Sequence, residues 1–129
     1  MIFLVDSSVI IAAFRKDEIY HQQALNILKS SSKIIILDLV LSEILTIIKM
    51  KENMEAVKKV IDFLINNKDI IIEKLDKNQQ KKVLNFFKTN HNKLSFVDTA
   101  LLIFGKNKKL NLLTFDKELG KKFANSSTF

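Results

Sequence analysis

Residues 2–9 read Ile-Phe-Leu-Val-Asp-Ser-Ser-Val, an apolar run that ends abruptly in an acid and two hydroxyl side chains. A short apolar run of this kind is typical of a strand buried in a parallel sheet. Asp6 at its end is unusual, because an ionised carboxylate beside a buried element is costly unless it is paired or bound to a cation. The stretch therefore predicts a first strand over Ile2–Val5 and marks Asp6 as a candidate functional residue.

The rest of the chain alternates between short apolar runs and segments in which apolar residues recur with the spacing of a helix. The runs predict further strands at 34–37, 70–72 and 110–114. The expected helices run from a cap at Ser7 or Ser8 to Phe14, from Glu18 to Ser30, from a cap at Asp38 through Glu43, from Met54 to Ile65, from Lys77 to Thr89, from a cap at Ser95 to about Gly105, and from Lys117 to about Phe123. This alternation predicts an α/β fold, a three-layer α/β/α sandwich around a central parallel sheet of four to five strands.

Composition limits the kind of protein. The 129 residues, of which 47% are hydrophobic, suit a single domain over 1–129, with a polar tail at 125–128. No apolar stretch approaches the ~18 residues of a membrane span, and the start lacks a basic signal-peptide region. The absence of cysteine excludes disulfides and thiolate metal sites. We therefore expect a cytoplasmic protein, without contact with a membrane.

The net charge of +7 comes from 21 basic and 14 acidic residues. Basic proteins attract polyanions, of which nucleic acid is the commonest. A lysine-rich compositional bias explains the charge equally well, since Arg15 is the only arginine and proline is absent. The charge therefore favours a nucleic-acid partner without establishing one.

Three more acids share the unusual setting of Asp6. Glu43 and Asp98 interrupt apolar runs, and Asp116 follows one. In parallel sheets the ligand crevice lies beyond the carboxyl ends of the strands, and all four acids are expected there. Each alone could be a helix cap, a first-turn acid or a surface residue. Together they predict an acidic pocket for divalent cations, which take hard oxygen ligands.

Four motifs then resemble the PIN-domain family of metal-dependent ribonucleases, and most of all the small VapC-type toxins. They are LVDSSVI at 4–10, LSEI at 41–44, LSFVDTA at 94–100 and LTFDK at 113–117. Their order and spacing match over nearly the whole chain. Two features depart from the family: Leu39 stands where relatives often have proline, and the usual final strand is shortened or missing.

The resemblance implies that Asp6, Glu43, Asp98 and Asp116 bind one or two Mg²⁺ or Mn²⁺ ions. It also implies that the hydroxyls of Ser7 and Thr114 orient carboxylates or water. The expected activity is that of an endoribonuclease that leaves 5′-phosphate and 3′-hydroxyl ends.

The same resemblance implies the toxin of a toxin–antitoxin pair, with RNA as substrate, a small antitoxin as partner and a homodimer as assembly. A housekeeping PIN nuclease and a non-catalytic RNA- or protein-binding PIN module are the alternatives. His21 and His91 are expected at the surface. With no cysteine and only these two histidines, a structural zinc site is not expected.

Overall fold

Four parallel strands form the centre of the protein, in a computed structural model that describes residues 1–31 and 33–126. The strands are β1 (Ile2–Val5), β2 (Lys33–Leu37), β3 (Ile70–Glu73) and β4 (Asn111–Leu113), in the order β3-β2-β1-β4. Residues 127–128 of the predicted polar tail lie outside the described residues.

Seven helices in the described ranges cover the sheet. They are α1 (Ser7–Phe14), α2 (His21–Ser30), α3 (Asp38–Lys51), α4 (Met54–Asn66), α5 (Lys77–Thr89), α6 (Phe96–Lys108) and α7 (Lys117–Asn125). The predicted three-layer α/β/α sandwich with a four-stranded parallel sheet is confirmed. Among the described helices, none is long and apolar enough to cross a membrane.

The strand order places a switch point between β1 and β4. The chain steps in one direction from β1 to β2 to β3, and then returns across the sheet to β4. Right-handed crossovers therefore put α1–α4 on one face of the sheet and α5–α6 on the other. Phe3 is level with Ile34 on one side and with Asn111 on the other, so the carboxyl ends of β1 and β4 meet at one edge.

Two predicted helix caps are wrong. The cap of α1 is Asp6 rather than Ser7 or Ser8, because its carboxylate accepts the Ser7 backbone N–H at 2.7 Å. Asp38 is the first residue of α3 and not its cap, since β2 runs directly into the helix and leaves Leu37 at the cap position.

Two helix ends differ from the prediction by three residues each, more than the others. The second helix begins at His21 because the residues before it form a turn, in which the His21 N–H donates to the Glu18 carbonyl. Helix α6 continues three residues beyond Gly105, to a left-handed cap at Lys109. His21 is half-buried rather than at the surface, and its Nδ1 lies 2.7 Å from the carbonyl oxygen of Ala12.

Among the described helices, α6 has the longest unbroken run of buried residues, and it positions the site. Its residues from Thr99 to Gly105 are all buried. Gly105 allows close packing, because a Cβ there would lie 2.7 Å from the Phe123 ring of α7 and 3.3 Å from Leu4 of β1. The helix is thus held between β1 and α7, with its N-terminus at the carboxyl edge of the sheet.

Candidate active site

Asp6 is the fixed centre of the candidate site. It directly follows β1 and is 5% exposed. Its Oδ1 accepts the Ser7 N–H at 2.7 Å and lies 3.4 Å from the Ser7 hydroxyl. These contacts hold the orientation of the carboxylate.

Two hydroxyls hold the other oxygen of Asp6. Thr114 donates to Oδ2 at 2.6 Å, and Ser8 donates to the same atom at 3.0 Å. Each hydroxyl also accepts a backbone N–H from the loop after β4: Ser8 from Phe115 at 3.0 Å and Thr114 from Asp116 at 3.0 Å. The network joins the two loops at the switch point and thereby couples Asp6 to the residue that caps α7.

Ser8 is a residue that sequence reasoning missed as part of the site. Its role depends on Phe115, which lies 107 positions away, so local sequence gives no direct signal. The available hint was the pair of hydroxyl residues immediately after Asp6, which the prediction assigned to helix capping.

Glu43 reaches the site from the sixth position of α3 and is half-buried. Desolvation raises its pKa above the usual value, and the negative charges of Asp6 and Asp98 raise it further. The Ser7 hydroxyl opposes this effect. Glu43 is therefore an acid held among other acids at one edge of the sheet.

Asp98 lies in the first turn of α6, where it forms two hydrogen bonds with Ser95. Its N–H donates to the Ser95 hydroxyl at 3.1 Å, and its Oδ2 accepts the Ser95 N–H at 3.2 Å, which closes a capping box. Desolvation raises its pKa, hydrogen bonds from Ser95 oppose the rise, and the charges of Asp6 and Asp116 add to it.

Asp116 caps α7 and is exposed. Its Oδ1 accepts the N–H groups of Glu118 at 3.0 Å and Leu119 at 3.1 Å. Exposure therefore differs among the four acids, since Asp6 is buried, Glu43 and Asp98 are half-buried and Asp116 is exposed. Asp116 follows an apolar run because that run is strand β4, whose end opens to the surface.

The donor set fits a hard divalent cation. Carboxylates are ligands that such ions prefer, and four of them come from four different segments near the carboxyl edge. Desolvation raises the pKa values of Glu43 and Asp98, and the charges of the neighbouring acids add to the rise. Among the described residues, however, no three acidic or histidine side chains are close enough together to hold a metal ion as they stand. Coordination would therefore require side-chain movement toward the ion, for which half-buried Glu43 and exposed Asp116 have room.

An aromatic pair lines a groove beside the acids. The rings of Tyr20 and Phe115 stack with centroids 4.6 Å apart, and both line a groove that also contains Ser7, Ser8 and Asp116. Sequence reasoning did not assign Tyr20 or Phe115 to the site, because their contact joins two distant loops. The groove therefore places the aromatic rings of Tyr20 and Phe115 next to the carboxylate of Asp116.

The comparisons with known proteins agree with this architecture. The family model described as "PIN domain" matches residues 3–123, so the chain belongs to the PIN-domain family. The comparison with curated proteins finds no match.

Two solved structures share the fold at low sequence identity. One is VapC20 of Mycobacterium tuberculosis, described as a toxin that cleaves the sarcin–ricin loop, with a TM-score of 0.84, 17% identity and 95% coverage of each chain. The other is VapBC2 of Rickettsia felis, bound to a DNA fragment from its promoter, with a TM-score of 0.70 and 15% identity. That match covers 100% of this chain and 98% of the other.

Proposed function

We propose that this protein, as one nuclease domain over residues 1–129, is a metal-dependent endoribonuclease that cleaves RNA phosphodiester bonds. The observation that carries the proposal is the placement of Asp6, Glu43, Asp98 and Asp116 near one edge of the sheet. There Asp6 and Asp98 add to the raised pKa of Glu43, and Asp6 and Asp116 add to that of Asp98, beyond the effect of desolvation. Membership of the PIN-domain family supports the same activity.

The four carboxylates would hold one or two Mg²⁺ or Mn²⁺ ions. When bound, such ions neutralise charge on the phosphate and make water a stronger nucleophile at neutral pH. Asp6 suits the role of a fixed ligand, because the Ser8 and Thr114 hydroxyls and the Ser7 N–H hold both its oxygens in place.

Glu43 and Asp98 are suited to proton transfer as well as to binding. Their raised pKa values make them better proton acceptors than ordinary carboxylates, as a general base toward the attacking water requires. Hydrolysis would then leave a 5′-phosphate and a 3′-hydroxyl.

A toxin role is the finer part of the proposal. The fold resembles that of VapC20, and VapBC2 was solved with promoter DNA. We infer a VapC-type toxin in the cytoplasm that forms a homodimer and is inhibited by a small antitoxin protein. A housekeeping PIN nuclease remains the alternative if expression is harmless.

The test of the activity is cleavage of a mixed pool of single-stranded and hairpin RNA with Mg²⁺, Mn²⁺ or EDTA. We expect cutting only with metal, and its loss in Asp98→Asn. Asp62→Asn is the matched control, because Asp62 is an exposed acid on α4. Equal cutting in EDTA, or by Asp98→Asn, would contradict the metal-carboxylate mechanism.

The toxin role has a separate test. Expression should arrest growth of a bacterial host, and Asp98→Asn should relieve that arrest at equal protein level. Co-expression of the gene next to it should also restore growth. Metal-dependent cutting without growth arrest would overturn the toxin role and favour the housekeeping enzyme, whereas RNA binding without cutting would favour the non-catalytic module.

A further inference from the structure

Charge is divided unevenly along the chain. Residues 77–129 contain 11 lysines and 3 acids, a net charge of +8, whereas residues 1–76 contain 10 basic and 11 acidic residues, a net charge of −1. Two of those three acids, Asp98 and Asp116, belong to the acidic cluster. Outside that cluster, Glu118 is the only acid in this part of the sequence.

The fold collects this charge on one face of the protein. Helix α5 packs on α6, and α6 packs on α7, opposite the face that α1–α4 cover. Ten of the 11 lysines are exposed, and Lys106 is half-buried. The two faces of the sheet therefore differ in charge as well as in the helices that cover them.

Helix α7 leads directly away from the acids. It begins at Asp116, whose charge interacts with Asp98 at the start of α6. Seven residues further along α7, the Phe123 ring lies 4.1 Å from Lys106 Nζ on the same α6. The two helices thus run side by side in the same direction, away from the crevice.

The outer side of α7 is basic. Leu119 and Phe123 pack inward, whereas Lys117 and Lys121 are exposed and lie four residues apart, about 6 Å along the axis. Both line a shallow groove along this helix. Glu118 also lines this groove, three residues before Lys121 and four before Lys122, so the three lysines together leave the outer side of α7 with an excess of two positive charges.

We propose that the face formed by α5–α7 is the surface on which the RNA backbone lies, with Lys117 and Lys121 on the phosphates that flank the scissile one. The inference rests on the proposed ribonuclease function. A polyanion near four carboxylates needs compensating positive charge, and α7 supplies it immediately beyond Asp116. The face covered by α1–α4 has no comparable excess of charge.

The test is binding of a fluorescein-labelled, mixed-sequence 12-mer RNA in EDTA, by anisotropy, over a series of KCl concentrations. Lys117→Gln/Lys121→Gln is compared with Lys58→Gln/Lys59→Gln, which removes two exposed lysines from α4. Thermal unfolding checks that both variants are folded. EDTA prevents cleavage, so binding is measured apart from chemistry.

We expect the α7 variant to bind more weakly and its slope of log K against log salt to fall by about 1.4, since each contact with a single-stranded phosphate contributes about 0.7. The α4 variant should retain the wild-type slope. Equal losses in the two variants, or no loss in either, would overturn the assignment of this face. If such a result is obtained while the wild type in the same preparation cuts RNA with metal, only the assignment of this face is wrong. If the wild type neither binds nor cuts RNA, the proposed ribonuclease function is wrong.

Discussion

The Thr114 hydroxyl donates a 2.6 Å hydrogen bond to Oδ2 of Asp6, from a position 108 residues away in the sequence. The bond crosses from the loop after β4 to the end of β1, at the switch point of the sheet. Because Thr114 also accepts the Asp116 N–H, this one hydroxyl sets the relative position of two of the four acids.

Thr114→Val should therefore lower both stability and activity. A hydrogen bond to a charged group contributes roughly 1.5–3 kcal/mol, and here its loss also leaves the Asp116 N–H without this acceptor. We expect the free energy of unfolding in urea to fall by about 1–3 kcal/mol. Thr46→Val, at an exposed position of α3, is the control and should change it by less than about 0.5 kcal/mol. Equal effects of the two substitutions would show that the Thr114 bond is unimportant.

Glu43→Gln should stabilise the metal-free protein at neutral pH. Desolvation raises the Glu43 pKa, and the charges of Asp6 and Asp98 add to this effect. The ionised carboxylate therefore destabilises the folded protein at neutral pH. The neutral amide removes that penalty and should raise the melting temperature in EDTA. The same substitution should reduce the stabilisation by Mn²⁺, because it removes a proposed ligand. Glu73→Gln, at the exposed end of β3, should change neither value.

The pH dependence of stability follows from the same pKa shifts. Glu43 and Asp98 have folded-state pKa values above their usual 4.5 and 3.8, so the folded protein binds protons more tightly than the unfolded chain. Their favourable contribution is complete below those usual values and is lost as pH rises through the raised ones. Metal ions need the deprotonated form, so stabilisation by Mn²⁺ should shrink as pH falls from 7 toward the raised pKa values. Melting curves with Mn²⁺ and with EDTA across this range measure it; a pH-independent difference would contradict it.

The two glycines of the chain should respond oppositely to alanine. Gly120→Ala should raise the free energy of unfolding by about 0.5–1 kcal/mol, because alanine favours a helix and its Cβ would lie 3.5 Å from Thr114, an ordinary contact. Gly105→Ala should lower it, since a Cβ 2.7 Å from the Phe123 ring forces α7 or the ring to move. Urea unfolding of both variants compares them directly, and equal stabilisation would show that the α6–α7 contact adapts freely.

Much of the fold was predictable because its strands are short apolar runs with no competing pattern, as in Ile2–Val5 and Ile70–Glu73. The caps were less predictable. Asp6, Ser7 and Ser8 are all good cap residues, and only the tertiary position of Asp6 decides among them.

The four candidate acids can be singled out from the sequence, whereas the residues that support them cannot. Asp6 and Glu43 are marked by their apolar neighbours, which are local in sequence. Ser8 and the Tyr20–Phe115 stack depend on contacts between distant loops, so they carry no local signal. The exposure of Asp116 was missed because a buried strand and a surface loop adjoin at that point.

The most direct test of the metal-carboxylate mechanism is the single-turnover rate of RNA cleavage by EDTA-treated protein as Mn²⁺ is added back, for the wild type and Asp6→Asn. The wild-type rate should rise from background to a plateau. Asp6→Asn should keep its fold by circular dichroism yet cleave on the order of 100-fold more slowly at the same Mn²⁺ concentration, because the fixed ligand has lost its charge. A wild-type rate independent of Mn²⁺, or an Asp6→Asn rate equal to that of the wild type, would contradict the proposed mechanism.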